Sequence, residues 1–135
     1  MASPASPIVG RISEHADALL GRPYGERGRG PGEYDCFGLF LELARRCGRD
    51  LEDPFPGDGL DRATFRTFFR HFVEVPFGAL RPLDLVLQRQ ARQHVVTVVE
   101  PGWVLDTSRE AGAHRTPLRD ALERATAAYR LRCTE

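Results

Sequence analysis

A cysteine, a histidine and an aspartate in this sequence have surroundings that suit acyl-transfer chemistry. Cys36 follows Asp35 at the start of a strongly apolar segment and comes just after the glycine-rich stretch 25–32. A helix N-terminus favours negative charge, so a thiol there is biased toward the thiolate, which is the nucleophilic form. The unpaired N–H groups of the same first turn can receive an oxyanion. Cys47 lies at the C-terminal end of the same predicted helix, where the dipole opposes a thiolate, and is read as core packing. Cys133 is assigned no role.

A cysteine nucleophile needs a base, and the base needs a group to orient it. Four histidines are available: His15, His71, His94 and His114. His15 falls on the polar side of a predicted helix, His71 follows an aromatic cluster, and His114 falls in a predicted loop. His94 opens the strongest β-branched run of the chain, His94-Val-Val-Thr-Val-Val99, where a sheet can hold an imidazole rigidly. Asp106 lies on the next predicted strand. A three-residue hairpin loop at 100–102 sets Val99 against Trp103 and Val96 against Asp106. His94 and Asp106 then become diagonal neighbours on one face, about 7–8 Å apart at the backbone. A two-residue loop would set Asp106 against Thr97, pointing to the other face. The Cys-His-Asp arrangement therefore requires an odd loop length.

The elements that must carry these groups follow from pattern. Ile8, Val9, Ile12, Ala16, Leu19 and Leu20 recur at helical spacing, and Gly21 stops the helix. Asp35 is a suitable N-cap for a second, nearly all-apolar helix that Gly48 ends. A third helix is predicted over about 61–72. The stretch 83–87 alternates as a short strand. Strands are predicted over 94–99 and 103–107, with a helix over about 117–125 capped by Thr116 and a last strand over 128–132. Helices come first and an antiparallel sheet follows, which is an α+β order. Residues 1–7 read as a flexible tail and 8–135 as one domain.

Composition narrows the function classes. All 19 basic residues are arginine and are matched by 19 acidic ones, so the chain lacks the basic surplus of a general nucleic-acid binder. With no lysine and no asparagine, Schiff-base, P-loop lysine and catalytic asparagine roles are excluded. The 3 cysteines have no metal-ligand spacing, so neither a metal nor a cofactor is expected. No apolar run suits a membrane span, and the N-terminus has no secretory pattern, which leads to an expectation of synthesis in the cytoplasm. The Arg22–Arg29 stretch is read either as a carboxylate-binding loop or as solvated surface.

Three blocks in order carry a resemblance. Tyr24 is followed by Asp35-Cys36-Phe37-Gly38-Leu39; Arg81-Pro-Leu-Asp-Leu-Val-Leu87 comes next; His94-Val95, a turn ending in Gly102, and Asp106 complete the set. The chain resembles the NlpC/P60 family of papain-like cysteine peptidases, most closely the short phage-tail versions, over about residues 11–132. The resemblance implies a papain-like fold with N-terminal helices packed on a central antiparallel sheet. It implies Cys36 as nucleophile, His94 as general base, Asp106 as the orienting group and Tyr24 as a hydroxyl near the thiol. The family usually has glycine where this chain has Leu83 and Val96, and often histidine where it has Asp106. The two glycine replacements are expected to tighten the cleft or change which peptide fits.

The activity implied is hydrolysis of peptidoglycan stem peptides, at the bond between D-glutamate and a diamino acid, by a chain carried to the wall on a phage tail or by a secretion apparatus. Phage-tail proteins are the other expected partners. Two rival readings remain: a non-catalytic tail-assembly module on the same fold, and an amidase or transglutaminase-like acyl transferase.

Overall fold

The computed structural model describes residues 7–53, 69–89 and 93–132. Helix α1 spans Pro7–Leu19 and α2 spans Cys36–Arg46; a single short turn of helix, α3, spans Leu118–Ala121. The strands are β1 (Phe72–Glu74), β2 (Leu85–Arg89), β3 (Gln93–Glu100), β4 (Trp103–Ser108), β5 (Gly112–Pro117) and β6 (Ala125–Leu131). They form one sheet in the order β1-β6-β2-β3-β4-β5, with every neighbouring pair antiparallel. The α+β architecture expected from the element order is the one observed.

The largely apolar character of α2 has a direct cause: the helix packs into two clusters. Phe37, Phe40 and Ala44 pack with Phe72, Leu85, Val95 and Leu131. Leu39 and Leu43 pack with Ile12, Ala16 and Leu19 of α1 and with Val99, Leu105 and Ala113 of the sheet. A third cluster gathers Val75, Val86, Val96, Val98, Val104, Ala121 and Ala128. β3 thus contributes to clusters on alternating sides, Val95 and Val99 to those under the long helices and Val96 and Val98 to the third. A strand buried on both faces reads as a continuous apolar run, and 95–99 does so.

Several boundaries move. Pro7 belongs to α1 and not to the tail. Of the helix predicted over 61–72, residues 61–68 lie outside the described residues, while 69–71 form a 3-10 turn and Phe72 opens β1. The late helix is only α3 followed by a 3-10 turn at Leu122–Arg124. Pro117, not Thr116, occupies its cap position, and Thr116 lies within β5. β5 itself replaces a predicted loop. Its pairing with β4 is satisfied on one side, and on the other Ala113 exchanges backbone hydrogen bonds with Gly21 and Arg22 at 2.8 and 2.9 Å.

Leu83 does not extend β2. It has φ +79, the left-handed conformation that glycine adopts most easily, and its N–H donates to the Val98 carbonyl at 2.7 Å. Its side chain packs against both helix-side clusters. The conformation thus persists under a leucine, held by packing. Stability in urea is expected to fall in the order wild type, Leu83→Gly, Leu83→Ala. Alanine loses the packing and keeps the strain, whereas glycine recovers about 1 kcal/mol of strain. Equal midpoints for the two variants would show that the turn is unstrained. Val96, the other position singled out, is 1 % exposed and packs in the third cluster.

Candidate active site

The site lies at the end of the sheet where β3 begins and β4 ends, against the first turn of α2. The backbone places Cys36 there for local reasons. Asp35 caps α2, its Oδ1 accepting the Gly38 N–H at 2.7 Å. The glycine-rich segment folds back on the same turn. Asp35 N–H donates to the Gly28 carbonyl at 3.1 Å, and a β-carbon on Gly38 would overlap that carbonyl oxygen. A β-carbon on Gly28 would come within 2.8 Å of the Glu33 and Gly25 carbonyl oxygens. These glycines serve close backbone approach, and the loop is bonded throughout. Tyr34 bridges both Tyr24 and Arg29, which sets Tyr24 beside the segment leading into Cys36.

The Arg22–Arg29 stretch takes neither expected role at its last residue. Arg29 donates through one terminal nitrogen to Asp35 Oδ1 at 2.8 Å and through Nε to Asp53 Oδ2 at 2.6 Å, with its guanidinium 5.9 Å from the Phe37 ring centroid. It is a clamp on the cap of α2. Arg22 donates to the Pro31 carbonyl at 2.8 Å.

The odd loop length expected of the hairpin is not found; a ladder shift in β3 restores the alignment instead. Glu100 pairs with Trp103 around a two-residue turn, Pro101-Gly102, but the ladder shifts at Val99, so that Val98 faces Val104 and Thr97 faces Leu105. One step further sets Asp106 level with Val96, the alignment derived for a three-residue loop. His94 is therefore diagonal to Asp106, and its Nε2 lies 2.7 Å from Asp106 Oδ1. The same oxygen accepts the Thr107 N–H at 2.7 Å, which fixes the carboxylate. The Cys36 thiol stands close enough to the His94 ring to raise its pKa. Nε2 is occupied by Asp106, which leaves Nδ1 for the sulfur.

Burial opposes charge on His94, but Asp106 and Cys36 together outweigh it, and the imidazolium pKa rises to about 10. Tyr24 is pushed above the usual phenol value by burial and then by the negative character of Cys36, partly offset by Arg109. Its hydroxyl thus stays protonated and can donate. Cys36, His94, Asp106 and Tyr24 are each half-buried, open enough for a ligand to reach.

The other candidate bases lie on other elements. His15 is on α1 and His71 is in the 3-10 turn before β1. His114 is in β5, directly across from Asp106, with Nδ1 2.8 Å from the Gly112 carbonyl oxygen. Cys47 is half-buried against the α1–α2 cluster, and Cys133 lies outside the described residues. Among the described residues no group of His, Cys, Asp or Glu could hold a metal ion, and no helix is long and apolar enough to cross a membrane. Arg109 escaped sequence reading altogether. It stands in the β4–β5 turn with its guanidinium 5.2 Å from the Tyr24 ring centroid.

The antiparallel sheet with helices packed on it has counterparts among solved structures. The fold is that of the NlpC/P60 structures. An NLP/P60 family protein similar to lipoprotein from Staphylococcus aureus aligns over 98% of this chain and 44% of its own, at TM-score 0.72 and 18% identity. NlpC2 from Trichomonas vaginalis aligns over 96% of this chain and 48% of its own, at TM-score 0.70 and 14% identity. The NlpC/p60 domain of the peptidoglycan hydrolase SagA aligns over 93% of this chain and 98% of its own, at TM-score 0.60 and 17% identity. The chain spans less than half the length of the first two structures and nearly all of the SagA domain. No family model and no curated protein matches the sequence. At these identities the likeness establishes the NlpC/P60 fold, and chemistry must be argued from the residues.

Proposed function

We propose that this chain is a cysteine peptidase of the NlpC/P60 type that cleaves peptidoglycan stem peptides. The reading is carried by one observation: an imidazole held by a fixed carboxylate at 2.7 Å beside the cysteine that heads α2. Its substrate class is drawn from likeness to a fold that includes a peptidoglycan hydrolase domain.

In this mechanism Cys36 transfers its proton to His94 and attacks the amide carbon as thiolate. Charge develops on the carbonyl oxygen. The Cys36 N–H heads α2, where the helix supplies no acceptor, and is available to that oxygen together with the Tyr24 hydroxyl. His94 gives its proton to the departing amine, and a thioester forms as the C–N bond breaks. A water then passes a proton to His94 and attacks the thioester, and Cys36 leaves. Asp106 holds the ring in the tautomer and orientation that both proton transfers need.

Purified peptidoglycan digested with the protein is expected to release fragments bearing a new amine on the diamino acid, and the Cys36→Ala variant is expected to release none. An unchanged product pattern with Cys36→Ala would refute the reading. A freed carboxylate without a new diamino-acid amine would favour the amidase alternative.

A further inference from the structure

Arg109 is a cation with a built position and, among the described residues, no ionic partner. It stands in the tight turn that joins β4 to β5, closed by the Ala111 N–H donating to Ser108 Oγ at 3.1 Å. The β5 end of this turn is bonded to the segment that leads into Tyr24, through the Gly21 N–H to the Ala113 carbonyl at 2.8 Å and the Ala113 N–H to the Arg22 carbonyl at 2.9 Å. Gly112 lies so close to that segment that a β-carbon would come within 2.6 Å of the Arg22 carbonyl oxygen. Two cross-linked backbone segments therefore carry the guanidinium and the phenol ring beneath it.

Arg109 is exposed, and among the described residues it pairs with no carboxylate. The cation–π contact leaves the N–H edge of its planar fork available. The Arg109 guanidinium lies 5.2 Å from the Tyr24 ring centroid and Tyr24 bridges Tyr34, two residues before Cys36, which sets the three groups at one locus. Asp35 and Glu26 also act on Tyr24, but Asp35 is already neutralised by Arg29.

We infer that Arg109 is a specificity residue that grips a free carboxylate of the substrate beside the scissile amide. This deepens the proposed peptidase reading and rests on it. A stem peptide with an ionised α-carboxylate on the D-glutamyl residue satisfies the guanidinium by a two-pronged bond; its amidated counterpart, a D-isoglutamine peptide, does not.

Two small alkylating agents test the inference without any peptide. Iodoacetate and iodoacetamide both lose iodide to the thiolate, and only the first carries a carboxylate. The rate of iodoacetate relative to iodoacetamide at Cys36, read by site-resolved mass spectrometry at low salt, is expected to fall roughly fivefold in Arg109→Gln, the size of an exposed charge interaction. Arg109→Lys is expected to restore part of the ratio. Raising the salt to about 1 M is expected to remove the difference between wild type and Arg109→Gln. An identical ratio in wild type and Arg109→Gln overturns the role of Arg109 while leaving the peptidase reading intact. Failure of iodoacetamide itself to label Cys36 ahead of Cys47 overturns the peptidase reading and this inference with it. In peptide digestion, the preference in kcat/KM for the D-glutamyl over the D-isoglutaminyl substrate is expected to shrink in the same variant; a preserved preference overturns the inference.

Discussion

Replacing His94 with Ala is expected to lower kcat/KM on a stem-peptide substrate by roughly three orders of magnitude or more, because the thiol loses its proton acceptor and the leaving amine its donor together. The fold should survive, since the ring is half-buried at a sheet end and belongs to none of the three core clusters. The pH profile carries more information than the loss alone. Burial pushes the imidazolium pKa down, while Asp106 and Cys36 raise it to about 10, so the protonated ring that the leaving group requires persists to that pH. The alkaline limb of kcat/KM is therefore expected near pH 10 in the wild type. Asp106→Ala removes an upward contribution and leaves the burial in place, so its alkaline limb moves to lower pH; Asp106→Asn, which keeps an acceptor oxygen, falls between. Stability follows the same sign. A folded pKa above the unfolded value of 6.5 stabilises the native state fully below pH 6.5, and this contribution is lost as pH rises through about 10. An alkaline limb that does not move in Asp106→Ala would remove Asp106 from any orienting or electrostatic role.

The parts of this arrangement that were legible in the sequence rest on local chemistry. Asp35 caps a helix wherever an apolar run follows it, and the run 95–99 is a strand covered on both faces almost by composition alone. The shared face of His94 and Asp106 was expected only for an odd loop length; the chain has a two-residue turn instead, and a bulge at Val99, which no sequence pattern announced, restores the alignment. Both solutions leave Thr97 opposite Leu105. What could not be read is what depends on partners distant in the chain. β5, Gly-Ala-His-Arg-Thr-Pro, has no β-branched run and is a strand because β4 and the Gly21–Arg22 segment supply its hydrogen bonds. β1 is three residues long and gains its ladder from β6 alone. Arg29 and Arg109 are indistinguishable by type from their solvated neighbours. One meets Asp35 and Asp53 and the other meets Tyr24 only after the loops have closed.

The largest loss of stability is expected from Arg130→Ala, about 3–5 kcal/mol in urea unfolding, with Asp84→Ala costing less. The asymmetry comes from burial. Asp84 is 1 % exposed and accepts three hydrogen bonds that matter: Arg130 Nε at 3.0 Å, an Arg130 terminal nitrogen at 2.9 Å and the Arg81 N–H at 2.8 Å. Removing Arg130 strands a buried carboxylate with one backbone donor. Removing Asp84 leaves a guanidinium whose side chain is 26% exposed; it can turn toward water and still donate to the Ala79 carbonyl, now 2.7 Å away. The pair does more than join β6 to the turn before β2. The Val98 N–H donates to the Asp84 carbonyl at 2.8 Å and the Leu83 N–H to the Val98 carbonyl at 2.7 Å, so the same turn grips β3, the strand that carries His94. Arg130→Ala should therefore lose thiol reactivity at Cys36 at denaturant concentrations well below those that affect wild type, in step with its unfolding transition. The double variant Asp84→Ala/Arg130→Ala should be more stable than Arg130→Ala alone, since no buried charge is left unpaired. A double variant less stable than Arg130→Ala would mean that Asp84 acts through its backbone neighbours and not through the ion pair.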